Sequence, residues 1–159
     1  MINVLYLIIA LLIASCVNKI GDEIKEGNIP ISFSVKTSKT TTKAAKSAFE
    51  TGDRTGVFAM LTGNSLDKQR YIDNLLLECG EGSKLIPKKE VYYPEGDATL
   101  DFISYYPYQT ASVSKGSSLL NVAVQADQSK AADYSLSNFM TARVEDVSNS
   151  EKTVKLEYK

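Results

Sequence analysis

The sequence predicts an all-β domain, a seven-stranded β-sandwich, on three observations. Short segments in which apolar and polar residues alternate recur along the chain, as in Ile31, Phe33 and Val35 against Ser32, Ser34 and Lys36. A period of two is what a strand with one buried face requires. Turn-forming residues separate these segments, and little of the chain carries a helical period, which argues for packed sheets. At 159 residues, with 43% hydrophobic and 23% charged content, the chain has the size and composition to bury one core without a metal or a disulfide lattice.

Seven strands are expected: Ile31–Val35, Val57–Leu61, Val91–Tyr93, Leu100–Tyr105, Leu120–Val124, Thr141–Val147 and Val154–Tyr158. Pro30 suits the edge of the first. Thr37 to Arg54 is rich in Ser, Thr, Lys and Ala and reads as an exposed loop with one helical turn over Lys43 to Phe49. Gly56-Val57-Phe58-Ala59-Met60-Leu61 is a buried strand closed by Gly63-Asn64-Ser65. Tyr71 to Leu77 fits either a short helix or an irregular strand, and Gly80-Glu81-Gly82-Ser83 ends it in a turn.

Five of the nine tyrosines fall between Leu85 and Tyr108. If Val91–Tyr93 and Leu100–Tyr105 meet at the Gly96-Asp97 turn, their rings face one another in cross-strand pairs of about 0.2–1 kcal/mol each. These rings serve either as core and sheet surface or as a sugar-binding aromatic platform. Asp127 to Ala142 reads as a loop with a short helix anchored by Leu136, Phe139 and Met140. Val154, Leu156 and Tyr158 then alternate up to Lys159, which leads to the expectation that the natural chain continues.

The first residues differ in kind. Val4 to Ala14 is a continuous apolar run whose eleven residues reach only about 16 Å as a helix, against a hydrocarbon core of about 30 Å. That is signal-peptide length. The run ends in Ile13-Ala14-Ser15-Cys16, which resembles the lipobox of bacterial lipoproteins, although Met1-Ile2-Asn3 supplies no Lys or Arg. On this reading residues 1–15 are removed and Cys16 carries the lipid. Each buried methylene then contributes about 0.8 kcal/mol to membrane anchoring. Residues 16–28, polar and containing Gly21 and Gly27, form a tether, and 29–159 is the folded domain.

Composition excludes several activities. Histidine is absent, which removes the commonest general base and metal ligand, so no cofactor or metal site is expected. With 18 basic and 19 acidic residues there is no electrostatic footprint for nucleic acid. Acylation of Cys16 leaves Cys79 as the sole thiol, so no intramolecular disulfide forms. Gly52-Asp53-Arg54-Thr55-Gly56 lacks the Gly-Lys-Ser/Thr ending of a phosphate loop. Many carboxylates are present, yet no local pair stands out as an acid and base. The chain is not expected to be an enzyme.

Five segments, in this order behind the lipobox, resemble the fimbrillin-like lipoproteins of Bacteroides and its relatives, the group that includes the pilins of type V pili. They are Ala48-Phe49-Glu50-Thr51-Gly52-Asp53-Arg54-Thr55-Gly56-Val57-Phe58, Val91-Tyr92-Tyr93-Pro94, Leu100-Asp101-Phe102-Ile103-Ser104-Tyr105-Tyr106-Pro107-Tyr108, Ala126-Asp127-Gln128-Ser129 and Asp133-Tyr134-Ser135-Leu136-Ser137-Asn138-Phe139-Met140-Thr141-Ala142. The resemblance implies two transthyretin-like β-sandwich domains, of which this chain covers the first. It also implies a structural or adhesive part of a surface fimbria, held to the outer membrane by lipid on Cys16. Its partners would be other fimbrial subunits, joined by strand addition. In that scheme Ile31, Phe33 and Val35 mark the removable strand, and Arg54, in the exposed connection that follows, is the candidate cut for an arginine-specific protease. An ordinary surface arginine is the alternative for Arg54. A lipoprotein that binds glycan or a host ligand without polymerising is the alternative function.

Overall fold

The computed structural model describes residues 26–36, 49–110, 113–114, 116–117, 129 and 139–159. The signal segment, Cys16, most of the tether, the helical turn from Lys43, the strand Leu120–Val124 and most of the Asp127 to Ala142 loop lie outside these residues.

Nine strands and one turn of 3₁₀-helix make up the described fold: β1 (Glu26–Pro30), β2 (Ser32–Lys36), β3 (Arg54–Leu61), β4 (Ile72–Cys79), β5 (Lys84–Pro87), β6 (Tyr92–Pro94), β7 (Leu100–Tyr106), β8 (Met140–Val147) and β9 (Thr153–Glu157), with the 3₁₀ turn at Glu81–Ser83. Seven of them form one sheet in the order β8-β7-β3-β4-β5-β2-β9, and β1 pairs with β6 in a separate ribbon. The large sheet rolls over on itself. Thr141 and Lys159 exchange backbone hydrogen bonds of 3.1 and 2.9 Å, so the two outermost strands meet. Phe33 of β2 packs edge-on against Phe102 of β7 with ring centroids 5.9 Å apart, and Tyr158, just past β9, reaches Ser104 of β7. The arrangement is the all-β sandwich that the alternation predicts.

The unbroken apolar run at β3 has a simple cause: both faces of this strand are covered. Val57 and Ala59 join the main core, whereas Phe58 and Met60 pack with Leu66 and Tyr105 in a second cluster on the other side. Gly56 lies opposite Tyr105 in the ladder, and a Cβ there would sit 2.2 Å from that ring, so only glycine lets the aromatic lie across the backbone.

Three sequence expectations need correction, and one open reading is decided. Of the helix and the irregular strand left open for Tyr71 to Leu77, the strand forms, as β4 from Ile72; its alternation is broken because Asn74 sits in the left-handed region (φ 47°) at a bulge opposite β3. The bulge brings Ile72, Leu75 and Leu77 all toward the main core. β5, a four-residue strand with only Leu85 buried, was not among the expected strands. Residues 26–28, expected as tether, lie in β1, which pairs through its backbone, and Gly27 lies so close to β6 that a Cβ would be 2.8 Å from the Tyr93 carbonyl oxygen. Last, Val91–Tyr93 and Leu100–Tyr105 do not face each other: β6 pairs with β1, and β7 with β3 and β8.

Candidate functional site

β2 is built to be surrounded. Ile31, Phe33 and Val35 are 4%, 3% and 7% exposed, and they point into the main core from a strand whose other face is Ser32, Ser34 and Lys36. One edge of β2 runs parallel to β9 from Ser32 opposite Thr153 to Lys36 opposite Glu157; the other runs antiparallel to β5 at Phe33–Leu85 and Ser34–Lys84. Burying these three side chains contributes about 1.5–3 kcal/mol each. Since a domain's net stability is about 5–15 kcal/mol, the slot between β5 and β9 cannot stand empty.

Polar anchoring of β2 is slight. Among the described residues its one side-chain hydrogen bond runs from Lys36 Nζ to Glu157 Oε2 at 3.0 Å, in solvent. Lys36 lowers the pKa of the Glu157 carboxyl, first by this hydrogen bond and then by its charge. Such exposed pairs add little to stability.

Arg54 is not in a connecting loop, as the sequence led us to expect. The loop closes one residue earlier, where Asp53 accepts the Glu50 N–H on its carboxylate (2.7 Å) and the Gly52 N–H donates to the Cys79 carbonyl (2.8 Å). Arg54 therefore opens β3 opposite Glu78. Its guanidinium is exposed and donates from Nε to Glu78 Oε2 at 3.1 Å, its carbonyl accepts the Tyr108 N–H at 2.9 Å, and Thr55 beyond it is fully buried. The Arg54–Thr55 peptide bond thus lies within the sheet.

Arg70 has a role that the sequence reading did not identify. Its side chain is 5% exposed. It donates to the carbonyls of Leu66 (2.8 Å), Val113 (3.2 Å), Ser114 (2.8 Å) and Ser117 (3.0 Å) and to Asp73 Oδ1 (2.8 Å), and its guanidinium lies 5.3 Å from the Phe58 ring centre. Arg143 pairs with Glu145 on the surface of β8. The signal for Arg70 was its scarcity, one of three arginines in the chain, yet its partners are backbone carbonyls that no sequence pattern marks.

Nor do the tyrosines form an exposed platform. Tyr93, Tyr105 and Tyr106 are buried, and Tyr93 donates to the Glu151 carbonyl at 2.9 Å. Burial pushes the Tyr71, Tyr93 and Tyr158 phenols up to about 12, with nearby Glu26 and Glu151 adding to the rise for the first two and the Ser104 hydrogen bond opposing it for the third. These phenols stay protonated at neutral pH and act as hydrogen-bond donors. Cys79 is buried in the core. Among the described residues no three His, Cys, Asp or Glu side chains gather as a metal site, and no helix is long and apolar enough to cross a membrane.

Comparison with known proteins bears on the fold and the family. Three solved structures share the fold: a candidate cell adhesion protein from Bacteroides uniformis (TM-score 0.53, 17% identity, 81% of this chain and 46% of that one), another from Bacteroides ovatus (0.52, 19%, 84% and 52%), and a fimbrial protein from Bacteroides vulgatus (0.52, 14%, 83% and 45%). The chain thus spans about half the length of the structures it matches. No curated protein matches the sequence. The family model described as fimbrillin-like matches residues 42–159, most of the chain, and the chain belongs to the fimbrillin-like family.

Proposed function

We propose that the chain is a structural, non-catalytic subunit of a cell-surface fimbria that is first held to the outer membrane by lipid on Cys16 and, once the piece carrying that lipid is cut away, joins its neighbours by strand addition. One observation carries this reading. Phe33 and Val35 of β2, with Ile31 just before it, fill the slot through alternating apolar side chains, the strand pairs by its backbone on both edges, and among the described residues it makes one side-chain bond, in solvent. Another strand with the same alternation can make all of those contacts. Removing β2 exposes apolar surface that a donor strand from a second subunit would cover.

Release of β2 requires a cut in the chain between β2 and the body of β3, and Arg54, the first residue of β3, is the one we assign to it. A protease needs an extended, unpaired segment, so hydrolysis of the Arg54–Thr55 bond has to follow local opening of the first residues of β3 from Glu78 and Tyr108. The intact mass of the protein extracted from native membranes tests the whole reading. A polypeptide starting at Thr55, found together with an acylated N-terminal piece starting at Cys16, is the expected result. An uncut, acylated chain would contradict processing at Arg54 and favour a non-polymerising lipoprotein.

A further inference from the structure

Beyond the β2 slot, the described residues contain a cleft to which nothing above gives a role. β4 and β5 pair only from Leu77–Pro87 to Cys79–Leu85, and the Lys88 N–H adds one bond to the Leu76 carbonyl at 2.8 Å. From there the chain turns toward β6. A groove of about 750 Å³ opens between the first half of β4 and the segment running from Lys88 to Val91, within the size range of small-molecule sites, about 300–1,000 Å³.

Its floor is fixed. Arg70 spends its donors on four carbonyls and Asp73, while Asn74 is held in its left-handed conformation by hydrogen bonds to Tyr105 and to the Gln109 carbonyl. The Tyr71 ring is fixed by a 2.8 Å hydrogen bond from its phenol to the Tyr92 carbonyl. Other lining groups are left available: the side chains of Glu26, Gln69, Lys88, Lys89 and Tyr108 hydrogen-bond to no other described residue. Two of these are ammoniums and one is a carboxylate, so the available charge is positive.

We propose that this groove binds an acidic saccharide. The Lys88 and Lys89 ammoniums suit a sugar carboxylate, the Gln69 amide and Glu26 carboxylate suit ring hydroxyls, and the Tyr71 and Tyr108 rings offer apolar faces ending in polar tips. The Arg70 fork is already occupied, so a bound carboxylate would be held by the two lysine ammoniums as point charges. β2 lines no part of the groove; of the lining only Glu26, in β1, would leave with it on a cut at Arg54, and the two lysines would stay.

The test is calorimetric titration of the full chain with methyl β-glucuronide and, separately, with methyl β-glucoside. The acidic sugar is expected to bind, more weakly as salt is raised, and the neutral one at least about tenfold more weakly. The double variant Lys88→Gln/Lys89→Gln should lose at least about tenfold in affinity for the glucuronide, while Lys152→Gln/Lys155→Gln, with the same change of charge elsewhere on the surface, should not. No heat with either sugar at millimolar concentration overturns the proposal. Equal binding of the two sugars, an unaffected double variant, or equally tight binding of a short acidic peptide would also overturn it.

Discussion

Strands β2 and β7 both cross the centre of the fold, and the difference between them separates a replaceable element from a permanent one. β7 is tied by polar contacts specific to its own residues. Asp101 accepts from Thr62 Oγ1 (3.0 Å), the Gly63 N–H (3.3 Å) and the Asp146 N–H (2.8 Å), and Ser104 Oγ donates to the Gly56 carbonyl (2.8 Å) and lies 2.6 Å from the Tyr158 phenol. β2 presents only Ile31, Phe33 and Val35 to the core. Apolar packing accepts many sequences of about the right shape, whereas a buried polar network accepts few. A strand held as β2 is can be exchanged for another, and one held as β7 is cannot.

Substitutions at four positions test that contrast, from the largest effect to the smallest. Phe33→Ala removes the ring seated against Phe102 and should cost about 3–5 kcal/mol in denaturant unfolding, while Phe33→Leu should cost less than about 1.5 kcal/mol. A large penalty for both would mean that the β2 slot demands one sequence. Arg70→Met leaves four carbonyls and Asp73 without their donor and should cost about 3 kcal/mol, with faster proteolysis around residues 113–117 as the second readout.

Asp101→Asn should cost about 1–2 kcal/mol at neutral pH. Burial opposes ionisation of Asp101, but the N–H donors of Asp146 and Gly63, the Thr62 hydroxyl and the charge of Arg143 together hold its pKa below the usual 3.8. Because the folded value is the lower one, this stabilisation is complete above the unfolded pKa and is lost as pH falls through the folded pKa. Unfolding measured from pH 6 to pH 2 should therefore show a loss of stability below about pH 4 that is smaller in the variant. Tyr158→Phe removes only the hydroxyl beside Ser104 and should cost about 1 kcal/mol.

The elements legible in the sequence are those whose alternation reports one buried face: the strands expected at Ile31 to Val35 and Val154 to Tyr158 appear shifted by one residue, as Ser32–Lys36 and Thr153–Glu157. Alternation does not report which strand lies alongside, and so the tyrosine segments were paired with each other when each pairs elsewhere. β4 was obscured by a single left-handed residue, Asn74, that shifts the phase of everything before it. β1 has too few inward side chains to leave a pattern, since its contact with β6 is made by backbone. Arg54 was misplaced by one residue because the hydrogen bonds that end the loop, to Asp53 and Cys79, join residues far apart in the chain or depend on local geometry. The groove over β4 has no sequence signature at all, because it arises where β5 leaves β4.

The most direct measurement of exchangeability is complementation of a chain spanning residues 49–159 by a synthetic peptide spanning residues 26–36. The account expects the chain alone to lack a cooperative thermal transition and to regain one when the peptide binds one-to-one. The Phe33→Leu peptide should work nearly as well, and the Phe33→Ala peptide should bind at least about a hundredfold more weakly. A cooperative transition without any peptide, or none when the peptide is in excess, would contradict it.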